Sequence, residues 1–243
     1  MVRSQEISRN LSRVEEEIDQ ALELSGRERS EITLIAVTKN FPVSDIEILY
    51  DLGIREFGEN RDQEAREKVR YFQESSHHQF ESMRWHFQGQ LQRNKLASIS
   101  SWAHMVHSVD DKKYLKGLSE GAVKNGRHIQ CLIQISLDEY PTAGRGGTDV
   151  AGAREIIATF EREKNQLLGM TLAGVMGVAP LNKPPAEAFS RLAEIFAGIG
   201  SGSESGSESE MKILSAGMSG DFHEAILAGA THLRIGSSIL GSR

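Results

Sequence analysis

Short apolar runs and longer amphipathic stretches alternate along almost the whole chain, and this alternation limits the fold more than any single motif does. The strand-like runs are "ITLIAVT", "IREFG", "RWHFQ", "AHMVHSV", "IQCLIQIS", "MTLAGVMGV", "MKILSAG" and "THLRIG". Between them lie the helical stretches "VSDIEILYDLG", "NRDQEAREKVRYF", a short "LQRNKLASI", "DDKKYLKGLSEGAVKNG", "DVAGAREIIATFEREK", "PPAEAFSRLAEIFAGIG" and "DFHEAILAGA". Strand, helix and strand in succession build a parallel sheet. Eight such units in 243 residues predict a closed (β/α)8 barrel, a TIM barrel, as one domain over 1–243. An open doubly wound sheet is the weaker alternative, because no G-x-G-x-x-G follows the first strand.

Ahead of the first strand, Ile7, Leu11, Val14, Ile18 and Leu22 recur at helical spacing, and Ser25-Gly26 closes an extra N-terminal helix within 1–26. Ser44 with Glu47, and Asp221 with Glu224, have capping-box spacing, and Asn60 is a candidate N-cap. The stretch "GSGSESGSESE", Gly200 to Glu210, has too little apolar surface to join a core. It is expected to form a flexible loop at the bottom of the barrel, between the seventh helix and the seventh strand.

The net charge of −6 argues against a nucleic-acid surface. No run approaches the ~20 apolar residues of a membrane span, and the N-terminus "MVRSQEISRN" has no apolar signal core. A cytoplasmic protein is expected. Cys131, the single cysteine, lies in an apolar run and reads as buried packing. The histidines, including His77-His78 in a polar stretch, show no ligand pattern, so no metal site is expected.

In such a barrel the chemistry sits at the C-terminal ends of the strands. Those ends carry Lys39, then Gly58-Glu59-Asn60, His86, Met176, the stretch "AGMSGD" and finally "RIGSS". The last two leave strands through Gly217, Gly220 and Gly236 and offer Ser219, Ser237 and Ser238. Backbone N–H groups in such turns favour a phosphate, and the loops after strands seven and eight are a recurring place for one. On the last strand, Leu233 and Ile235 are assigned outward and Arg234 inward. Ile35, Val37 and Lys39 share a face of the first strand, and ring closure would make Lys39 and Arg234 neighbours. A nearby cation and partial desolvation favour a free amine, the nucleophilic form. An amine, a phosphate cradle and an arginine together suggest a phosphorylated carbonyl compound held as a Schiff base. Pyridoxal 5′-phosphate fits best, with Arg234 near its ring nitrogen. His86 is expected to line the site or to serve as a structural histidine, and Met176 to pack near the ring or in the core.

The stretches "AVTKNFPVSDIEILYDLGIREFGENRDQEAREK", "WHFQGQLQRNK", "HSVD", "LAGVMGVAP" and "LSAGMSGDFHEAILAGATHLRIGSSILGSR" resemble the YggS/PROSC family of pyridoxal-phosphate-binding homeostasis proteins. The similarity covers nearly all of the chain after the first helix. It implies an alanine-racemase-type barrel, fold type III among pyridoxal-phosphate proteins. The family's cofactor lysine falls on Lys39, and its Gly-Glu-Asn turn on Gly58, Glu59 and Asn60. Its phosphate-loop residues fall on Ser219, Gly236 and Ser237, and its strand-eight arginine on Arg234. Family members are held to buffer or deliver the cofactor, without established catalysis. The stretch "SLDEYPTAGRGGTD" departs from the lysine-rich text of many members, which leaves the role of the 138–149 loop open.

Three functions compete. The first is a carrier that holds pyridoxal phosphate on Lys39 and gives it up to apo pyridoxal-phosphate enzymes. The second is an amino-acid racemase. That reaction, by a two-base route, needs a second acid–base group opposite the lysine, commonly a tyrosine from an added domain. Of Tyr50, Tyr71, Tyr114 and Tyr140, only Tyr140 lies near a strand top, and Arg243 follows the eighth strand directly, so the carrier is expected. The third is a lyase whose lysine captures a sugar phosphate.

Overall fold

In the computed structural model, residues 2–74, 80–139, 145–181, 183–200 and 211–242 are described. Eight strands pair in chain order into a closed barrel, β1-β2-β3-β4-β5-β6-β7-β8, with every pair parallel. The strands are β1 (Thr33–Val37), β2 (Glu56–Glu59), β3 (Arg84–Phe87), β4 (Met105–Val109), β5 (Ile129–Ile135), β6 (Met170–Gly177), β7 (Ile213–Ser215) and β8 (His232–Ile235). The helices are α1 (Arg3–Ser25), α2 (Val43–Asp51), α3 (Asp62–Glu74), α4 (Leu96–Trp102), α5 (Leu115–Lys124), α6 (Val150–Glu163), α7 (Pro185–Gly200), α8 (Phe222–Leu227) and α9 (Ser237–Leu240). The alternation seen in the sequence is therefore the alternation of the fold.

Two apolar regions follow from the period-two geometry of strands. The larger lies between sheet and helices and takes the outward residues, such as Leu34, Ala36, Phe57, Leu233 and Ile235. The smaller is inside the bore, where Met105, Leu132, Ala173 and Met176 form a separate cluster. Arg234 is 4% exposed and lies inward between the outward Leu233 and Ile235.

α1 buries Ile7, Leu11, Val14, Ile18 and Leu22. It ends at Gly26, whose φ of 66° is left-handed, and the Arg27 N–H returns to the Leu22 carbonyl. This helix also grips the C-terminal turn: Asn10 donates to the Ile239 carbonyl at 3.0 Å, and Arg3 to the Leu240 carbonyl at 2.9 Å.

The helix starts differ from the capping expectation. α2 begins at Val43 behind Pro42, whose ring presets φ near the helical value, so Ser44 lies inside the helix. α3 begins two residues beyond Asn60. Asp221 does precede α8, but its carboxylate turns back to the Met218 N–H at 2.6 Å instead of capping forward. Cys131 is fully buried, and burial pushes its thiol far above the usual range. Of the loop expected at Gly200 to Glu210, Gly200 is the last residue of α7; residues 201–210, His77-His78 and Tyr140 lie outside the described residues. No helix among the described residues is long and apolar enough to cross a membrane.

Candidate functional site

Closure of β8 onto β1 brings four loops into one arc at the C-terminal end of the barrel. In strand order 2-1-8-7, the arc carries Asn60, Lys39, Gly236 with Ser237 and Ser238, and Ser219.

The Lys39 turn is the best anchored part. β1 stops at Val37, and the chain turns through an exposed Lys39 and through Asn40, the only described non-glycine residue with positive φ, at 64°. The alternation that would put Lys39 on the face of Ile35 and Val37 therefore ends before it. Both neighbours of Lys39 are tied to α3. Thr38 is fully buried and donates through Oγ1 to Glu59 Oε1 at 2.6 Å. Lys68 Nζ donates to the Thr38 carbonyl, to Glu59 Oε1 and to Glu64 Oε1, each at 2.7 Å. Glu64 Oε1 also accepts the Asn40 N–H at 2.6 Å. Burial pushes the Glu59 carboxyl up, with Lys68 and Thr38 pulling the other way. Its Oε2 is buried without a partner among the described residues.

The loops after β7 and β8 meet at one hydroxyl. Ser219 Oγ accepts the Gly236 N–H at 3.3 Å and the Ser238 N–H at 3.2 Å, and Ser238 Oγ donates to the Ser219 carbonyl at 3.3 Å. Gly217 sets the first loop with φ of 89°, and a Cβ there would lie 2.8 Å from Ala225 Cβ. At Gly236 a Cβ would come 3.2 Å from the Val37 carbonyl, so a bare backbone lets the β8 turn lie close against β1.

The register corrects one expectation about the arginine. Ile35, not Lys39, is the cross-strand partner of Arg234, four residues down the strand. The stagger between barrel strands sets this, so the two cations are not neighbours along the ladder. Arg234 instead donates from Nη1 to Ser215 Oγ at 2.7 Å and from Nη2 to the Gly177 carbonyl at 2.9 Å. Burial lowers it to about 10, against the pull of Asp221, and it stays a cation at neutral pH.

His86 sits inside the bore, 1% exposed. Its Nε2 meets Glu56 Oε2 at 2.6 Å and its Nδ1 meets His107 Nε2 at 2.9 Å. Both ring nitrogens are thus engaged within the protein. Met176 belongs to the apolar cluster of the bore. Asn60 Oδ1 is buried without a partner among the described residues.

Two hollows differ in chemistry. One of about 200 Å³ lies across the mouth over β3 and β5, lined by Gln88, Gln134, Ser136, Asp138 and Arg145. Arg145 pairs there with Asp138 at 2.7 Å and holds the Val178 and Ala179 carbonyls, which ties the 138–149 loop to the end of β6. The larger, about 640 Å³, is at the opposite end, beside Glu15, Glu16, Asp19, Arg55 and Glu56. Its acidic lining is unsuited to a phosphate. Sequence reading missed Glu56, Lys68, His107 and Ser215. For His107 and Ser215, polar residues at inward positions of largely apolar strands were the available signal.

A model of the family described as "Alanine racemase, N-terminal domain" matches residues 10–243. The chain belongs to that family. Among its relatives, the Pyridoxal phosphate homeostasis protein of Vibrio cholerae is 36% identical, the match covering 98% of this chain and 96% of that one. The protein of the same description from Mycobacterium tuberculosis is 34% identical, with 99% and 94% covered. The family barrel recurs in the structure of PipY of Synechococcus elongatus with PLP bound, at TM-score 0.76 and 28% identity over 97% of this chain and 100% of that one. Alanine racemase of Clostridium difficile, 14% identical, shares the fold at TM-score 0.71, with 98% of this chain and 57% of that one covered.

Proposed function

We propose that this chain binds pyridoxal 5′-phosphate reversibly through Lys39 and holds it in the cytoplasm for release to apo pyridoxal-phosphate enzymes. The observation that carries the reading is the convergence of the Gly236 and Ser238 N–H groups on the single oxygen of Ser219. A phosphate oxygen that displaced the Ser219 hydroxyl from that place would meet the same two donors.

When bound, pyridoxal phosphate supplies an aldehyde that condenses reversibly with a primary amine. The chain supplies the rest. Lys39 brings the amine on a turn whose flanking residues are fixed by Glu59, Glu64 and Lys68. Asn60 offers a buried acceptor with no other partner among the described residues, which suits a ligand bearing a hydroxyl. Arg234 would present its buried cation toward the ring nitrogen. Its charge would resist protonation there, which would make the bound ring a poor electron sink and favour holding over transamination. Met176, with Met105 and Leu132, closes the bore with apolar side chains and excludes water from it.

The test is borohydride reduction of the cofactor-treated protein, followed by peptide mass spectrometry. The expected adduct is on Lys39, and Lys39→Ala should lose it while melting at an unchanged temperature. A reducible adduct that persists on another lysine would overturn the assignment.

A further inference from the structure

We propose that Ser215, His107, His86 and Glu56 are positioning residues for Arg234, joined in a hydrogen-bond chain whose donors all point away from the guanidinium. The chain starts at Arg234 on β8, passes to Ser215 on β7, crosses the bore to His107 on β4, and continues through His86 on β3 to Glu56 on β2. The four links measure 2.7, 3.0, 2.9 and 2.6 Å. Ser215 and His107 are fully buried, so no water competes for them. Glu56 is 22% exposed on its side chain and borders the hollow at the barrel floor.

With both imidazoles neutral, the two ends fix the polarity of everything between them. A guanidinium can only donate, and an ionised carboxylate can only accept. Ser215 therefore accepts from Arg234 and spends its one proton on His107 Nδ1. A neutral His107 must then carry its proton on Nε2, which donates to His86 Nδ1. His86 in turn must carry its proton on Nε2, facing Glu56. The surroundings agree with each assignment. Burial, with the Arg234 charge acting in the same direction, holds His107 well below the usual imidazole range, so it is neutral. Burial raises Glu56, but the His86 hydrogen bond and the Arg84 charge act against it, and the carboxyl lies below its usual range and is ionised. Arg84 Nε lies 3.4 Å from Glu56 Oε1, which leaves Oε2 to His86.

The chain thus links the barrel floor to Arg234, a buried cation toward the mouth side of the bore, and it holds that cation in a single orientation without placing an opposite charge in contact with it. The importance of that orientation for the cofactor rests on the function proposed above; the proton arrangement does not.

The first measurement uses the protein without cofactor. Long-range ¹⁵N–¹H histidine spectra distinguish the two neutral tautomers and the imidazolium. His86 and His107 should both be Nε2–H tautomers at neutral pH; an Nδ1–H tautomer or an imidazolium at either ring would overturn the chain. Ser215→Ala and Glu56→Ala then cut it near each end. His107 should lose its single tautomer in both variants, and Ser215→Thr, which keeps the hydroxyl, should restore it. A His107 signal unchanged in both cut variants would show that the groups are not coupled. Ser215→Ala should also weaken pyridoxal phosphate binding about tenfold, as expected for loss of a hydrogen bond to a charged group, with affinity for inorganic phosphate unchanged. Equal loss of both affinities, or of neither, would refute positioning of Arg234. Because the tautomers are read without cofactor, failure of the Lys39 assignment would leave that part of the test intact.

Discussion

Two buried polar networks flank strand β2 and hold their charges by different physics. On its outer side, Glu59 shares the Lys68 ammonium with Glu64, and full charges touch. On its inner side, Glu56 and Arg234 are kept apart by two imidazoles and a hydroxyl, and only the ends are charged. The outer network fixes a loop backbone through Thr38 and Asn40; the inner one fixes a side chain. Contact between charges gives strong links but depends on both partners being present, because each was desolvated to make the pair. The neutral chain has weaker links and depends on where each proton lies.

The largest difference between the networks should appear on removing one outer charge. Lys68→Met leaves Glu59 and Glu64 without their shared cation and should cost about 3–5 kcal/mol, the usual loss when one member of a buried pair is removed. Urea denaturation measures it. Adding Glu59→Gln should recover part of that loss, and a double variant no more stable than Lys68→Met alone would break the account of a coupled pair.

Acid should separate the two regions by sign. Burial is the main reason that His104 and His232 fall to about 4, from an ordinary 6.5. These groups take up protons more readily when unfolded, so their contribution to stability is complete above pH 6.5 and is lost as the pH falls to about 4. His107 acts in the same direction. Glu59 acts in the opposite one, since its folded-state affinity for a proton is raised and acid favours the fold through it. Three histidines against two raised carboxyls, Glu59 and Asp221, predict a falling urea midpoint through that window. Glu59→Gln should steepen the fall; a flat midpoint in the parent protein would sink the assignment of the interior histidines as neutral.

The smallest effect sharpens the role of the outer network as a backbone clamp. Asn40→Ala puts a side chain that poorly tolerates positive φ into the left-handed turn and should cost about 1 kcal/mol. Asn40→Gly should stay near the parent value. Thermal melts compare the two, and equal losses in both would mean that the turn is not held at its observed φ.

Much of the barrel was legible because its signals are local. Period-two alternation placed Leu233 and Ile235 outward and Arg234 inward, and the eight units implied closure. The site was legible in part. Ser219 and Gly236 do meet across adjacent loops, yet Lys39 leaves the strand face on which alternation had put it, because the chain already turns at Asn40. Arg234 was placed beside Lys39 because ring closure was inferred without a register. Glu56 and His107 escaped notice because their partners lie on other strands.

The sequence by itself determined which segments become strand or helix, which face of each is apolar, and which turns can expose backbone N–H groups. These depend on neighbours a few residues away. The tertiary structure alone decided the stagger of β8 against β1, the joining of Lys68 to Thr38, and the path of protons from Arg234 to Glu56. Those depend on how the ring closes, and closure is set by the packing of all eight strands together, which no local stretch of the chain encodes.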